Sequence, residues 1–308
     1  YVTLAQILCE RTGMKKVFFG NSGAEANECA IKAARKYAAE KKGADCYTII
    51  TLKNSFHGRT LTTLAATGQD HFHQLFQPLT PGFVHAEVND LADMTQKVAE
   101  NKVAAIMIEV IQGEGGVVVL APEYVKGVAE LAQKNDILLI VDEVQTGNGR
   151  TGQLFGYMNY GIEPDIITTA KGLGGGLPIG AAILGEKVKD VFTPGSHGST
   201  FGGNPVCCAG AVNILNRIDE KLLAEVREKS DFIRAELSGA KGIVSVDGMG
   251  LILGLVTEKD AKAVVNACIE RGVLPLTAKK KVRLLPALNI PMTSLQKAVT
   301  IIKEVCAE

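Results

Sequence analysis

Ile137-Leu138-Leu139-Ile140-Val141-Asp142 is an apolar run closed by a carboxylate, and Asp165-Ile166-Ile167-Thr168-Thr169-Ala170-Lys171 repeats the shape with an amine at its end. Neither run alternates polar with apolar residues, so neither reads as a half-exposed strand. A short continuous apolar run bounded by turn residues is expected of a strand covered on both faces. Runs of the same kind stand at Val17–Phe19, Tyr47–Thr51, Ala104–Ile108 and Ala181–Leu184. Between them lie helical patterns. The clearest is Ala24–Lys41, where Ala26, Ala30, Ala33 and Tyr37 share one face, and another is Glu123–Asn135, opened by Pro122.

Strands alternating with helices imply an α/β fold with a mostly parallel sheet, whose ligands sit at the carboxyl ends of the strands. After about residue 212 the pattern changes. A long helix is expected from Val212 to about Leu237, then strands near Ile243–Val246 and Leu251–Val256, a helix near Lys259–Arg271, a strand at Val282–Leu285 and a closing helix from Ser294. The expected organisation is a large α/β domain over 1–212 and a small α+β domain over 213–308.

Bulk properties narrow the function classes. Apolar residues make up 46% of the chain and charged residues 21%, in the range of globular proteins. Acidic and basic residues balance at 33 each, and the longest basic run is Lys279-Lys280-Lys281, so nothing points to nucleic acid. No apolar run approaches the roughly 20 residues of a membrane span, and no export signal opens the chain. The seven cysteines are scattered without a C-x-x-C pair, which favours reduced thiols in the cytoplasm over a disulfide framework or zinc site. His71 and His73 form the only close histidine pair and read as a solvated face, so no metal is expected. The chain begins at Tyr1 within what reads as a helix, so a longer protein is expected.

Four loops that follow strands carry chemistry. In Asn21-Ser22-Gly23-Ala24-Glu25-Ala26-Asn27 a small turn opens a helix, where backbone N–H groups and the dipole suit a phosphate; a plain capping box of Ser22 with Glu25 explains the same residues. Asp142 ends a buried strand, where a carboxylate is costly unless a cation pairs with it; a structural aspartate that caps the next turn is the alternative. Lys171 ends an apolar approach and precedes Gly172-Leu173-Gly174-Gly175-Gly176, so desolvation can free its amine for imine chemistry; the alternative is a solvated surface lysine. Gly195-Ser196-His197-Gly198-Ser199-Thr200 offers hydroxyls and N–H groups to a second phosphate edge, or is simply a loop. The glycine cluster lacks the G-x-G-x-x-G form after a strand, no phosphate-loop motif occurs, and no G-x-S-x-G elbow suggests a hydrolase.

These motifs, with Phe56-His57-Gly58-Arg59-Thr60, Ile111-Gln112-Gly113-Glu114-Gly115, Asp142-Glu143-Val144-Gln145-Thr146-Gly147, Ala170-Lys171-Gly172 and Gly198-Ser199-Thr200-Phe201-Gly202-Gly203-Asn204-Pro205, resemble the class III aminotransferases that use pyridoxal phosphate. They occur in the family's order over nearly the whole chain. The resemblance implies the aspartate-aminotransferase-like fold and a homodimer with shared active sites. It makes Lys171 and Asp142 catalytic, with Lys171 carrying the cofactor as a Schiff base and Asp142 holding the pyridine proton. It also implies cofactor contacts from Ser22, Gly23, Ala24, Phe56, Glu143, Val144 and Gln145, and from Thr200 of the other subunit. Arg59, Ser199, Glu114 and Arg283 are the implied substrate contacts. Arg59 would take an α-carboxylate, and Glu114 would mask Arg283 until a dicarboxylate arrives.

Within the family the motifs stand nearest the members that transaminate N2-acetylornithine with 2-oxoglutarate. Ornithine, succinylornithine or 4-aminobutyrate are alternative donors, and an aminomutase shares the scaffold. A silent binding module is the alternative of another class, which the presence of Asp142, Lys171 and Thr200 argues against. Two departures, Val110 and Ala287 at positions where many members carry proline, change backbone stiffness more than chemistry. An N-terminal segment, which in relatives helps line the substrate site, is expected to be missing here.

Overall fold

The computed structural model describes residues 1–308. They form two compact units, one of residues 1–110, 120–148 and 157–217, the other of 111–119, 149–156 and 218–308. Positions 212 and 213 lie inside a helix, and the units part after Arg217. No helix is long and apolar enough to cross a membrane.

The first unit begins with α1 (Val2–Thr12), β1 (Lys16–Gly20), α2 (Gly23–Lys42), β2 (Thr48–Leu52), α3 (Leu61–Ala66), β3 (Phe83–Ala86), α4 (Leu91–Glu100) and β4 (Val103–Ile108). A hairpin of β5 (Ile111–Gln112) and β6 (Val118–Val119) belongs to the second unit. The first then resumes with α5 (Pro122–Lys134), β7 (Leu138–Asp142), β8 (Ile166–Thr169), β9 (Gly180–Leu184) and α6 (Pro205–Arg217). Its seven strands form one sheet in the order β1-β9-β8-β7-β4-β2-β3. Five neighbours, β3 through β8 in that order, run parallel, and β9 runs antiparallel to both its neighbours.

Residue chemistry explains the close packing of α2 on this sheet. Its inward face is Ala30, Ala33 and Ala34 with Ile31, small enough for the helix to sit against Ile49, Ala105, Met107, Leu138, Ile140 and Ile166. Each large aliphatic side chain so buried contributes about 1.5–3 kcal/mol. Ser22 caps the helix by accepting the Glu25 N–H at 3.2 Å, while the Glu25 carboxylate takes the backbone N–H of Asn21. The expected capping box is therefore displaced by one residue, because the glutamate reaches past Ser22. Pro122 stands at the first turn of α5, where its missing N–H is harmless.

Among the elements that went unread in the sequence are α3, β3 and α4. All are short, and α4 declares itself only through Asp90, whose carboxylate accepts the Asp93 N–H at 2.9 Å. The long helix expected from Val212 to about Leu237 is two helices. α6 ends at Arg217, and Asp219 caps a new helix, α7 (Glu220–Leu237), by accepting the Leu222 N–H at 2.8 Å. His73 is not a solvated residue. Its Nε2 meets the carbonyls of Leu64 and Thr67 at 2.9 and 2.7 Å, and its ring stacks on His85.

The second unit continues with β10 (Ile243–Met249), β11 (Ile252–Thr257), α8 (Ala261–Glu270), β12 (Leu276–Ala278), β13 (Lys281–Leu284) and α9 (Met292–Ala307). β10-β11-β13-β12 is an antiparallel sheet, and its core joins Leu253, Leu255 and Val282 to Val226, Ile233, Val264, Leu295, Val299 and Ile302 from the three helices.

Candidate active site

A cavity of about 570 Å³ in the first unit is lined by the start of α2, the turn after β2, the ends of β7 and β8 and the turn before β9. Carboxyl ends of parallel strands leave such space because the helices that follow turn away from the sheet. Ser22, Gly23, Ala24, Phe56, Arg59, Asp142, Val144, Gln145 and Lys171 all line it.

The start of α2 lies here because glycine permits it. A Cβ on Gly23 would come within 2.7 Å of Val144 Cγ1, and one on Gly180 within 2.1 Å of the Ser22 carbonyl oxygen. Glycine at both positions lets three chain segments meet at the helix terminus. The N–H groups of Gly23 and Ala24 belong to the first turn, which has no intrahelical acceptors, and the helix dipole adds partial positive charge.

Asp142 ends β7 and is 3% exposed. Its Oδ2 accepts from Asn27 Nδ2 at 2.7 Å and from His57 Nδ1 at 2.8 Å, and its Oδ1 accepts the Val144 N–H at 3.0 Å. These donors offset the cost of burying the carboxylate and fix its plane. Because Oδ2 is an acceptor, the His57 proton sits on Nδ1, and His57 Nε2 is left buried without a hydrogen-bond partner. Asn27 Nδ2 also donates to the His57 carbonyl at 2.7 Å, tying helix, turn and strand together. Neither Asn27 nor His57 was assigned a role from sequence. The available signal was an asparagine beside the alanine face of α2, which needs a buried partner, but nothing local says which.

Phe56 stands on the cavity wall with its N–H donated to Glu109 at 2.9 Å and its ring edge-on to Phe72. The exposed Arg59 guanidinium lies 5.8 Å from the Phe56 ring centre and 5.4 Å from that of Phe72, a cation–π seat that leaves its fork toward solvent and cavity. Gln145 Nε2 is buried with no partner in the protein. Glu143 faces elsewhere. Its carboxylate accepts Thr146 Oγ1 at 2.6 Å and the Tyr157 N–H at 2.7 Å, so the side chain holds the turn and does not line the cavity.

Lys171 follows β8 as the first residue of a 3₁₀ turn, with φ at +39°. The expectation of a desolvated lysine fails for this chain taken alone, since Lys171 is exposed. The reason is local: strand pairing stops at Thr169, and the turn lifts the residue off the sheet.

Ser199 and Thr200 lie outside this cavity. They line a separate hollow of about 350 Å³ with Phe18, Asn21, Glu25, Glu28 and His197, where Ser199 Oγ accepts from Asn21 Nδ2 at 3.3 Å and from the Gly202 N–H at 3.1 Å. Burial first, then the nearby Lys32, lower the His197 pKa. In the second unit Arg283 is 7% exposed, and its Nη1 donates to Glu114 Oε1 at 2.8 Å and to the Gly113 carbonyl at 3.0 Å.

The family model for aminotransferase class III matches residues 1–306. The chain belongs to the class III aminotransferases. An acetylornithine aminotransferase of Haemophilus ducreyi is 50% identical over 99% of this chain and 78% of its own length. Among solved structures, an ornithine aminotransferase of Toxoplasma gondii, whose active site carries pyridoxal phosphate at partial occupancy, aligns with a TM-score of 0.93 and 36% identity over 99% of this chain and 76% of that one. An N-acetylornithine aminotransferase of Stenotrophomonas maltophilia aligns with a TM-score of 0.85 and 34% identity over 99% and 79%.

This class III aminotransferase uses pyridoxal phosphate, and the residues present fit it. The cavity offers an anion-ready helix start, a buried carboxylate already fixed by three donors, an unpartnered amide on Gln145 and an exposed lysine. The cofactor's phosphate, ring nitrogen, ring hydroxyl and aldehyde ask for groups of those four kinds.

Proposed function

We propose that the protein transfers the δ-amino group of N2-acetylornithine to 2-oxoglutarate, giving N-acetylglutamate 5-semialdehyde and glutamate. The observation that carries this reading is the convergence of Asp142, Lys171 and the start of α2 on one cavity. The acetylornithine aminotransferase at 50% identity supports the choice of donor.

Bound pyridoxal phosphate supplies an electron sink, which acidifies the substrate carbon that carries the amino group. Asp142, held by Asn27, His57 and the Val144 N–H, keeps a proton on the pyridine nitrogen. Lys171 Nζ would anchor the cofactor, take the proton from that substrate carbon and pass it to C4′ of the cofactor, and in the second half-reaction move a proton from C4′ to the carbonyl carbon of the keto acid. Ser22, Gly23 and Ala24 bind the phosphate at the helix start. Gln145 donates to the ring hydroxyl through the amide that lacks a protein partner, and Phe56 covers the ring face. Val144 packs under Gly23 and fixes the spacing of the two binding segments.

Arg59 pairs with the α-carboxylate of the donor, supported by its exposed fork over two rings. Arg283 takes the second carboxylate of 2-oxoglutarate, and Glu114 occupies it while the neutral acetylated donor is bound. Their 2.8 Å ion pair supports the masked state. Thr200 and Ser199 serve the active site of a second copy in a homodimer. Their placement outside the Lys171 cavity supports this, as do the neighbouring Phe201 and Val206, 69% and 66% exposed. The reducing cytoplasm suits seven free thiols.

Ornithine is the second reading, favoured by the 0.93 TM-score of the Toxoplasma gondii enzyme. Steady-state kinetics with 2-oxoglutarate separates the two. The kcat/KM for N2-acetylornithine should exceed those for ornithine, succinylornithine and 4-aminobutyrate, and a higher value for ornithine overturns the named substrate. Lys171→Ala should abolish both turnover and the visible absorbance band of the cofactor-loaded protein. A band that survives unchanged removes the lysine from its role.

A further inference from the structure

Lys171 owes its position to a peptide that ordinary strand geometry does not hold. Ala170 has φ −163° and ψ −133°, outside the usual β region, and Lys171 follows at φ +39°, a conformation that an L-residue with a long side chain adopts only when its surroundings impose it. β8 ends at Thr169, so strand pairing does not impose it.

What meets that peptide is Asn148, from the loop that follows β7. It is 4% exposed and itself sits at φ +57°, where asparagine is tolerated better than most residues. Its Nδ2 donates to the Ala170 carbonyl at 3.2 Å and to Thr169 Oγ1 at 2.9 Å. The Ala170 carbonyl also accepts the Leu173 N–H at 2.8 Å, so one oxygen is held from two sides. Gly172 completes the arrangement, since a Cβ there would lie 3.2 Å from the Asn148 Cβ. The amide thus packs directly beneath the turn that begins with Lys171. Asn148 Oδ1 is buried without a partner, a cost that would be hard to retain if the residue merely filled space.

We propose that Asn148 is a positioning residue for the reaction: by fixing the Ala170 carbonyl it holds Lys171 in the left-handed conformation that directs its amine into the cavity. The inference rests on the reading of Lys171 as the cofactor-anchoring residue. The same loop carries Asp142 at one end and Asn148 at the other. The segment that fixes the carboxylate therefore also fixes the lysine, and their separation is set within one turn.

The test uses two variants that remove the donor in different ways. Asn148→Gly keeps the positive φ without strain and deletes the amide. Asn148→Asp keeps size and shape but replaces the donor with an acceptor. In both, the visible band on adding pyridoxal phosphate to cofactor-free protein should form about tenfold more slowly, the loss of one hydrogen bond's worth of positioning. The kcat should fall by a similar factor with KM for 2-oxoglutarate unchanged. In the cofactor-free protein the Leu173 amide should exchange faster with deuterium. Thr169→Val removes the other acceptor and leaves the carbonyl contact, so it should form the band at the wild-type rate. Wild-type rates in both Asn148 variants, or equal losses in Thr169→Val, overturn the inference. A band that persists in Lys171→Ala overturns the underlying reading instead.

Discussion

Asp142 is a carboxylate withdrawn from water, and three hydrogen-bond donors hold it still. A carboxylate free to rotate would hold a pyridine proton in only some of its orientations. On the proposed reading, Asn27 and His57 act on the reaction through Asp142. The expectation is specific. Asn27→Ala should lower kcat by about tenfold and destabilise the fold by about 1–3 kcal/mol, the range for stranding a buried polar partner. In an Asp142→Asn background the same change should cost activity little more, because the two residues work as one unit. A double-mutant cycle in steady-state kinetics decides this, and additive losses would show that Asn27 acts elsewhere. Sequence made Asp142 legible because it closes an apolar run. Its partners were not legible, since Asn27 and Asp142 are 115 positions apart and only the packing of α2 on the sheet joins them.

At the scale of elements, the strands read best from sequence were β2, β4, β7 and β8, whose continuous apolar runs need no context. The elements around β3 needed context that sequence lacks. β3 is a half-buried edge strand, and its neighbourhood is organised by histidines. His85 Nδ1 donates to Thr51 Oγ1 at 2.7 Å, Thr51 passes its own proton to the Ala66 carbonyl, and His73 holds the carbonyls of Leu64 and Thr67. Burial first, then the nearby His73 and His57, push the His85 pKa down to about 4 from 6.5. Between those values the unfolded chain binds a proton that the folded one refuses. The stabilising contribution of neutral His85 is therefore complete above pH 6.5 and is lost as the pH falls toward 4. Denaturation midpoints of wild type should drop between pH 7 and pH 5 by more than those of His85→Gln, a difference on the order of 1–2 kcal/mol. Parallel curves for the two proteins would remove His85 from the acid response. Thr67 also accepts the His57 N–H at 2.9 Å, so acid loosening here should reach the Asp142 clamp before global unfolding.

For the whole molecule, one unit carries the cavity with Lys171 and Asp142, and the other carries the Arg283–Glu114 pair. The motif order read from sequence covered both, and the resemblance already gave Thr200 to the other subunit, but sequence could not say that Ser199 shares the hollow of Thr200 rather than the one lined by Lys171. That is a matter of three-dimensional placement, and it supports the proposal that an active site is completed by a second copy. On the proposed dimer, a two-fold assembly would make the exchange reciprocal, each subunit lending its Thr200 loop to the other. Two defective proteins should then repair one another. Thr200→Asp places a charge where a phosphate is expected, and Lys171→Ala removes the amine, so each alone should be nearly inactive. Dissociated, mixed in equal amounts and reassociated, half of the dimers pair one of each, and each such dimer holds one site with both residues intact. Activity should recover to about a quarter of wild type for a two-fold assembly. If each chain built its site from its own Thr200 and Lys171, both sites of every mixed dimer would stay broken, and the mixture would show no activity beyond the sum of its parts.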